Sequence, residues 1–152
     1  MRRKEKEIIE KSEIEAVIQK SIVCRLGLCD TNIPYIVPLC FGYKDNTIYV
    51  HGSLKGRKTD IIQKNHNVCF EFDINTEIIE SENACKWGMK YKSVIGFGKA
   101  LLLKEADDKQ KALKIIMNQY SDSLFNFPEK SINRTAVIKI EIESMTGKQS
   151  GF

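Results

Sequence analysis

Only three prolines and two histidines occur in the 152 residues. No apolar run approaches the ~18 residues that a membrane helix needs. The amino terminus is charged and lacks an apolar core, so no secretory signal is visible. The five cysteines are an odd number, with no C-x-x-C and no tight Cys/His pairing. That pattern argues against a disulfide framework and against a zinc site, so no metal is expected. Cys24, Cys29, Cys40 and Cys69 fall in apolar strand-like runs, where a reduced cysteine behaves as a small core residue. A reducing compartment follows, and the cytoplasm is the expected location. Strong charge of one sign is also missing. A formal net charge of +4 helps to attract an anionic ligand but is too dispersed to argue for nucleic acid. Arg2, Arg3, Lys4 and Lys6 alternate with glutamates and read as a solvated end.

What is present suits one folded unit. The length allows a single core and is short for two, so one domain over 1–152 is expected. Ser12 and Glu15 have capping-box spacing ahead of Ile14, Val17 and Ile18, which predicts a short amphipathic helix. From Ile22 the period changes to two, with Cys24, Leu26 and Leu28 on one side, and Asp30-Thr31-Asn32 supplies a turn. Residues 34–43 read as one strand covered on both faces, and residues 47–51 as a third. A short helix over 56–64 follows, with Asn65 as its C-cap. Val68, Phe70, Phe72 and Ile74 alternate as a further strand. Residues 75–90 read as a long connection, which in a compact domain usually has a function. Residues 91–103 form a long strand in which Gly96 and Gly98 predict a bulge or close backbone approach. Asp107 and Asp108 read as caps of a helix carrying Leu113, Ile116, Met117 and Tyr120. Ala136, Ile138, Ile140 and Ile142 mark the last strand. Six antiparallel strands with peripheral helices predict a mainly β fold, a small barrel.

The most informative stretch is I-Y-V-H-G-S-L-K-G-R-K-T-D, Ile48 to Asp60. It runs from a strand through a Gly/Ser turn into a helix whose first turn carries Arg57 and Lys58. Free N–H groups and the positive end of the dipole make a helix start an anion site. Arg57 adds a planar pair of donors and Lys58 a point charge. Ser53 adds a hydroxyl, while Gly52 and Gly56 let backbone approach a ligand. The plain alternative is a solvated basic turn, but cations at a helix amino end are unfavourable without an anion. Residues 52–59 nearly spell a phosphate-binding loop of nucleoside triphosphatases, yet Arg57 stands where its second glycine belongs and the βαβ order is missing. His51 ends the strand that feeds this turn. Its bland role is a hydrogen-bonded strand end; its functional role is a group that titrates near neutrality beside a ligand.

V-P-L-C-F-G-Y (37–43), H-G-S-x-x-G-R-K (51–58) and Y-K-S-V-I-G-F-G-K-A (91–100) together resemble the pyridoxamine-phosphate-oxidase-like split barrels. Within them the chain is most similar to the nitroimidazole-resistance flavoproteins. The resemblance implies a six-stranded split barrel of the FMN-binding type and a homodimer with FMN in grooves between protomers. It places Tyr35, Ile36, Val37, Pro38 and Leu39 under the flavin ring. It places the phosphate on Ser53, Arg57 and Lys58, with Gly52 in the same loop, and makes Ser93 a cofactor-facing group. His51 matches the histidine near the flavin and is the candidate catalytic residue. Trp87 and Met89 are candidates for the protomer interface. The carboxyl end, Gly151-Phe152, lacks the arginine motif that grips pyridoxal substrates, so vitamin B6 oxidation is not expected. The leading function is an FMN-dependent reductase of nitroimidazoles or other small oxidised compounds. The alternatives are a flavin-binding protein without turnover, or a split barrel holding haem or a deazaflavin.

Overall fold

The structure is a computed structural model and describes residues 3–152. Eight strands form one antiparallel sheet: β1 (Glu7–Ile8), β2 (Cys24–Asp30), β3 (Ile33–Leu39), β4 (Phe41–Lys44), β5 (Thr47–Ser53), β6 (Asn67–Ile79), β7 (Gly88–Leu102) and β8 (Thr135–Ser150). Their order is β3-β2-β6-β7-β8-β5-β4, with β1 added on β8. The mainly β expectation holds, and the strand count is corrected from six to eight. Residues 34–43, read as one strand, break at Cys40. Ile33–Leu39 pairs with β2, whereas Phe41–Lys44 pairs with β5 at the other edge of the sheet. The two edges are therefore joined by one residue of chain and not by hydrogen bonds, which leaves the barrel split.

Half of residues 75–90 is strand, and the connection shrinks to 80–87. β6 and β7 continue as a ladder pairing Glu77 with Lys90, Ile78 with Met89 and Ile79 with Gly88, beyond an irregularity at residues 74–77. The opposite charges of Glu77 and Lys90, 3.8 Å apart, sit where the sequence looked merely acidic. β8 likewise runs well past Ile142, because its Ser/Thr/Lys half is held by backbone pairing to β7 and β1. The close backbone approach expected at Gly96 and Gly98 is present, where a Cβ would strike the Ser144 and Glu141 carbonyls, and the extra residue of the bulge is Glu143 on β8: Phe97 pairs with Ser144 and Gly98 with Ile142.

The barrel interior is filled by Phe41, Phe70 and Phe72 with Leu26, Ile48, Val50, Val94, Ile138 and Ile140. The Phe41 and Phe72 rings are tilted with centroids 4.7 Å apart, a favourable aromatic geometry. Helix α1 (Lys11–Lys20) buries Ile14, Val17 and Ile18 as its period predicts. Its capping box does not form: Glu10 is the N-cap, and Glu15 instead accepts a 2.8 Å bond from the Tyr43 hydroxyl. Helix α2 is Arg57–Lys64 with Asn65 as C-cap. Helix α3 (Ala106–Asn118) packs Ala112, Leu113 and Ile116 on Val137, together with Ile132 of a short unforeseen helix α4 (Glu129–Asn133). Glu105 is the α3 N-cap, and Asp107 and Asp108 lie in its first turn, where they favour the dipole. Tyr120 lies beyond α3. Its hydroxyl accepts from the Phe41 N–H (2.9 Å) and donates to the Ile22 carbonyl (3.0 Å), pinning the β3–β4 crossing. Of the four cysteines expected in the core only Cys24 is fully buried; Cys29 is partly covered, and Cys40 and Cys69 are exposed. Cys69 alternates outward between Val68 and Phe70, and Cys40 sits at the crossing. No helix among the described residues is long and apolar enough to span a membrane.

Candidate functional site

β5 pairs with β8 from Thr47 to Ser53, so its end is fixed against Thr135 and Ala136. Ile48 and Val50 face the core, which turns Tyr49, His51 and Ser53 to the opposite side, as strand alternation requires. The turn that follows is held by Ser53: its Oγ accepts from the Lys55 N–H (3.2 Å), and its carbonyl accepts from the Thr59 hydroxyl (3.0 Å). Gly56 takes φ 135° and ψ 164° as the N-cap of α2, a conformation open essentially only to glycine. With no side chain capping the helix, the first N–H groups of α2 are left for an anion.

A groove of about 310 Å³ opens between β3 and this turn. Tyr35, Val37, Pro38 and Leu39 form one wall, and Ser53, Lys55, Gly56, Arg57, Lys58 and Thr59 the other. The Arg57 guanidinium lies 4.5 Å from the Tyr35 ring centroid, a cation–π contact that holds the fork at the groove edge. Lys58 behaves differently. Its side chain crosses Gly52, and its ammonium donates a 3.0 Å bond to the His51 carbonyl. A Cβ at Gly52 would come within 2.5 Å of that ammonium, so Gly52 keeps the passage open. Burial lowers the Lys58 pKa from its ordinary value. Burial and then the Lys58 charge lower that of His51, so its imidazole is neutral at pH 7. Three cations thus meet at a helix amino end, and among the described residues none is in an ion pair.

Most of the expected residues converge here. Ile36 turns outward, 66% exposed, and lies off the groove, while His51 and Gly52 adjoin it at the end of β5. Ser93 is not brought in: it pairs with Asp73 and Lys148 toward the other end of β7. Pro38 of the groove wall shares a row with Arg25, Glu71 and Ile95, and Ser93 lies three strands across from β3, two residues beyond Ile95 on β7. The sequence reading missed Lys55 and Thr59. The capping geometry of Ser53 was the available signal, since a serine two residues ahead of a backbone N–H often closes such a turn.

The family model of pyridoxamine 5'-phosphate oxidase matches residues 10–149. The chain belongs to that family. A solved structure from Bacteroides thetaiotaomicron, provisionally described as a 5-nitroimidazole antibiotic resistance protein, is 31% identical with a TM-score of 0.85. The match covers 93% of this chain and 85% of that one. A flavocytochrome from Azotobacter vinelandii is 18% identical with a TM-score of 0.88, covering 100% of this chain and 72% of that one. An FAD- and haem-binding protein from Mycobacterium smegmatis is 14% identical with a TM-score of 0.88, covering 97% and 74%. At those identities the last two show the fold alone. No curated protein matches the chain.

Proposed function

We propose that this member of the pyridoxamine 5'-phosphate oxidase family is an FMN-binding reductase of nitroimidazoles or other small oxidised compounds, active as a homodimer in the cytoplasm. The observation that carries the reading is the groove itself. It sets a set of unpaired cations and free helix N–H groups, fit for a phosphate, beside the apolar wall of β3, fit for a planar ring. The resistance protein from Bacteroides, alike over nearly the whole chain, supports nitroimidazoles as the substrate class. Bound FMN would supply the electron-transfer chemistry. The chain's own part is position and charge. The α2 N–H groups, Ser53, Arg57 and the half-buried Lys58 hold the phosphate, and Tyr35, Val37 and Leu39 exclude water from one side. His51, neutral at pH 7, can give or take a proton on a bound substrate.

Ser93 does not line the α2 groove of its own protomer, and in this reading it faces the cofactor of a second copy. A flat apolar face supports such a copy. Ile36, Gly27, Cys69 and Phe97 form one row across β3-β2-β6-β7, and Ile95 lies in the next row. Ile36, Ile95 and Phe97 are each at least half exposed. Absorption of the freshly purified protein tests the cofactor: flavin bands are expected, and a haem band or a colourless protein retaining no added FMN overturns the reading. Steady-state reduction of a nitroimidazole with a supplied donor then separates a reductase from a flavin carrier.

A further inference from the structure

A second cationic groove lies at the start of β7. Arg3, Lys6, Lys148, Tyr91, Ser150, Gly88 and Met89 line a cavity of about 450 Å³. It shares no lining residue with the α2 groove. The two grooves are therefore separate within one protomer. We propose that this second groove is an anion site that takes the phosphate or diphosphate of a small molecule.

Three cations line the groove and no acid does. The Lys6 ammonium donates a 2.8 Å bond to the Ser150 hydroxyl. The Lys148 ammonium stands 5.7 Å from the Tyr91 ring centroid. Glu7 is the register partner of Lys148, yet among the described residues no ion pair joins them or involves Arg3 or Lys6. On the opposite face of β7, Lys90 and Lys92 lie over the Phe152 ring; Lys90 is compensated by Glu77 at 3.8 Å, and Lys92 adds to the local positive field. Like charges held together without counter-ions raise the energy of the fold, and a bound anion relieves it. The Arg3 fork, two ammonium groups and the Tyr91 and Ser150 hydroxyls are the donors that phosphate oxygens require. Met89 and Gly88 leave an apolar, open side for the rest of the molecule.

The phosphate has two possible sources: the flavin held by a neighbouring copy, or a separate phosphate-bearing compound. Inorganic pyrophosphate titrated calorimetrically into an Arg57→Ala/Lys58→Ala variant, which lacks the first cradle, should bind at one equivalent per chain. Adding Lys6→Gln and Lys148→Gln should weaken that binding tenfold or more, the loss of one to two charge-assisted contacts. Circular dichroism and the urea midpoint check that each variant folds. Absence of pyrophosphate binding in the first variant, or equal affinity after the added changes in folded protein, overturns the site. Lys6→Gln/Lys148→Gln on an intact α2 cradle then identifies the source. Unchanged FMN affinity assigns the groove to a separate compound, and loss of FMN with riboflavin unaffected assigns it to the flavin of the second copy.

Discussion

At Lys58 a single side chain links the anion groove to His51, because its ammonium is spent on the His51 carbonyl as well as facing the groove. Lys58→Ala should therefore weaken FMN by about 1.5–3 kcal/mol, the range for hydrogen bonds to charged groups, while riboflavin changes little. Fluorescence titration of both flavins checks this, and equal weakening of the two would rule out a phosphate contact. Gly52→Ala should reproduce much of the loss without unfolding the chain, since the added methyl meets only the flexible end of Lys58. His51 makes a pH signature. Its folded pKa lies below its ordinary value, through burial and then Lys58. The unfolded chain therefore binds the proton more readily, and stability falls as pH drops below about 6.5. Urea midpoints between pH 8 and 5 should decline less steeply in His51→Gln. In the reductase assay His51→Ala should retain FMN and lose about a hundred-fold in turnover if it moves a proton; unchanged turnover with flavin bound would leave it structural.

Among the elements, the turn from β5 into α2 decides the site, and Gly56 decides the turn. Gly56→Ala should cost about 1–3 kcal/mol of stability, the strain of that backbone region for any residue with a Cβ. It should also weaken anion binding by tilting the first turn of α2; an unchanged urea midpoint would contradict the strain. This turn was readable in the sequence because the glycines, Ser53 and the basic pair are all local. So were α1, α2 and β2, whose apolar residues recur with the period of their own structure. Elements held by partners elsewhere were not. The outer half of β6 lacks apolar alternation, and its pairing with β7 is set where Glu77 to Ile79 find Lys90 to Gly88 across the ladder. The second half of β8 is polar and depends on β1 and β7. The break at Cys40 is invisible for the same reason: no charged residue interrupts residues 33–43, and only the pairing of β4 with β5 shows that the chain changes edges. Ser93 was made cofactor-facing by resemblance alone; it lines no part of the α2 groove in its own protomer, and its neighbours are set by strand pairing, which local sequence does not encode.

At the scale of the whole molecule, the largest unexplained feature is the outer face of β3-β2-β6-β7. Helices cover the outer side of β5 and β8, where α3 and α4 pack on Val137. The other outer face carries Ile36, Ile95 and Phe97, each at least half exposed, with Cys69 between them. Gly27 keeps the centre of the row flat, since a Cβ there would strike the Cys69 sulfur at 2.5 Å. Beside the row, Arg25 is tied to both Glu71 and Asp73, so its charge is compensated within the face and one negative charge remains. A flat apolar centre with a polar rim is what a two-fold partner of the same chain requires. Such a partner would also bring a second Ser93 and a second basic groove to the rim of the same face, because both lie further along β7. Phe97→Glu places a charge in the middle of the row and, met by its own copy, a like charge opposite. Light scattering at micromolar concentration should give a dimer for the native chain and a monomer for Phe97→Glu, with the circular dichroism of the fold retained. FMN affinity should fall with the dimer, since the groove would lose the partner's share of the site. A native monomer with FMN fully bound would end the case for a shared site.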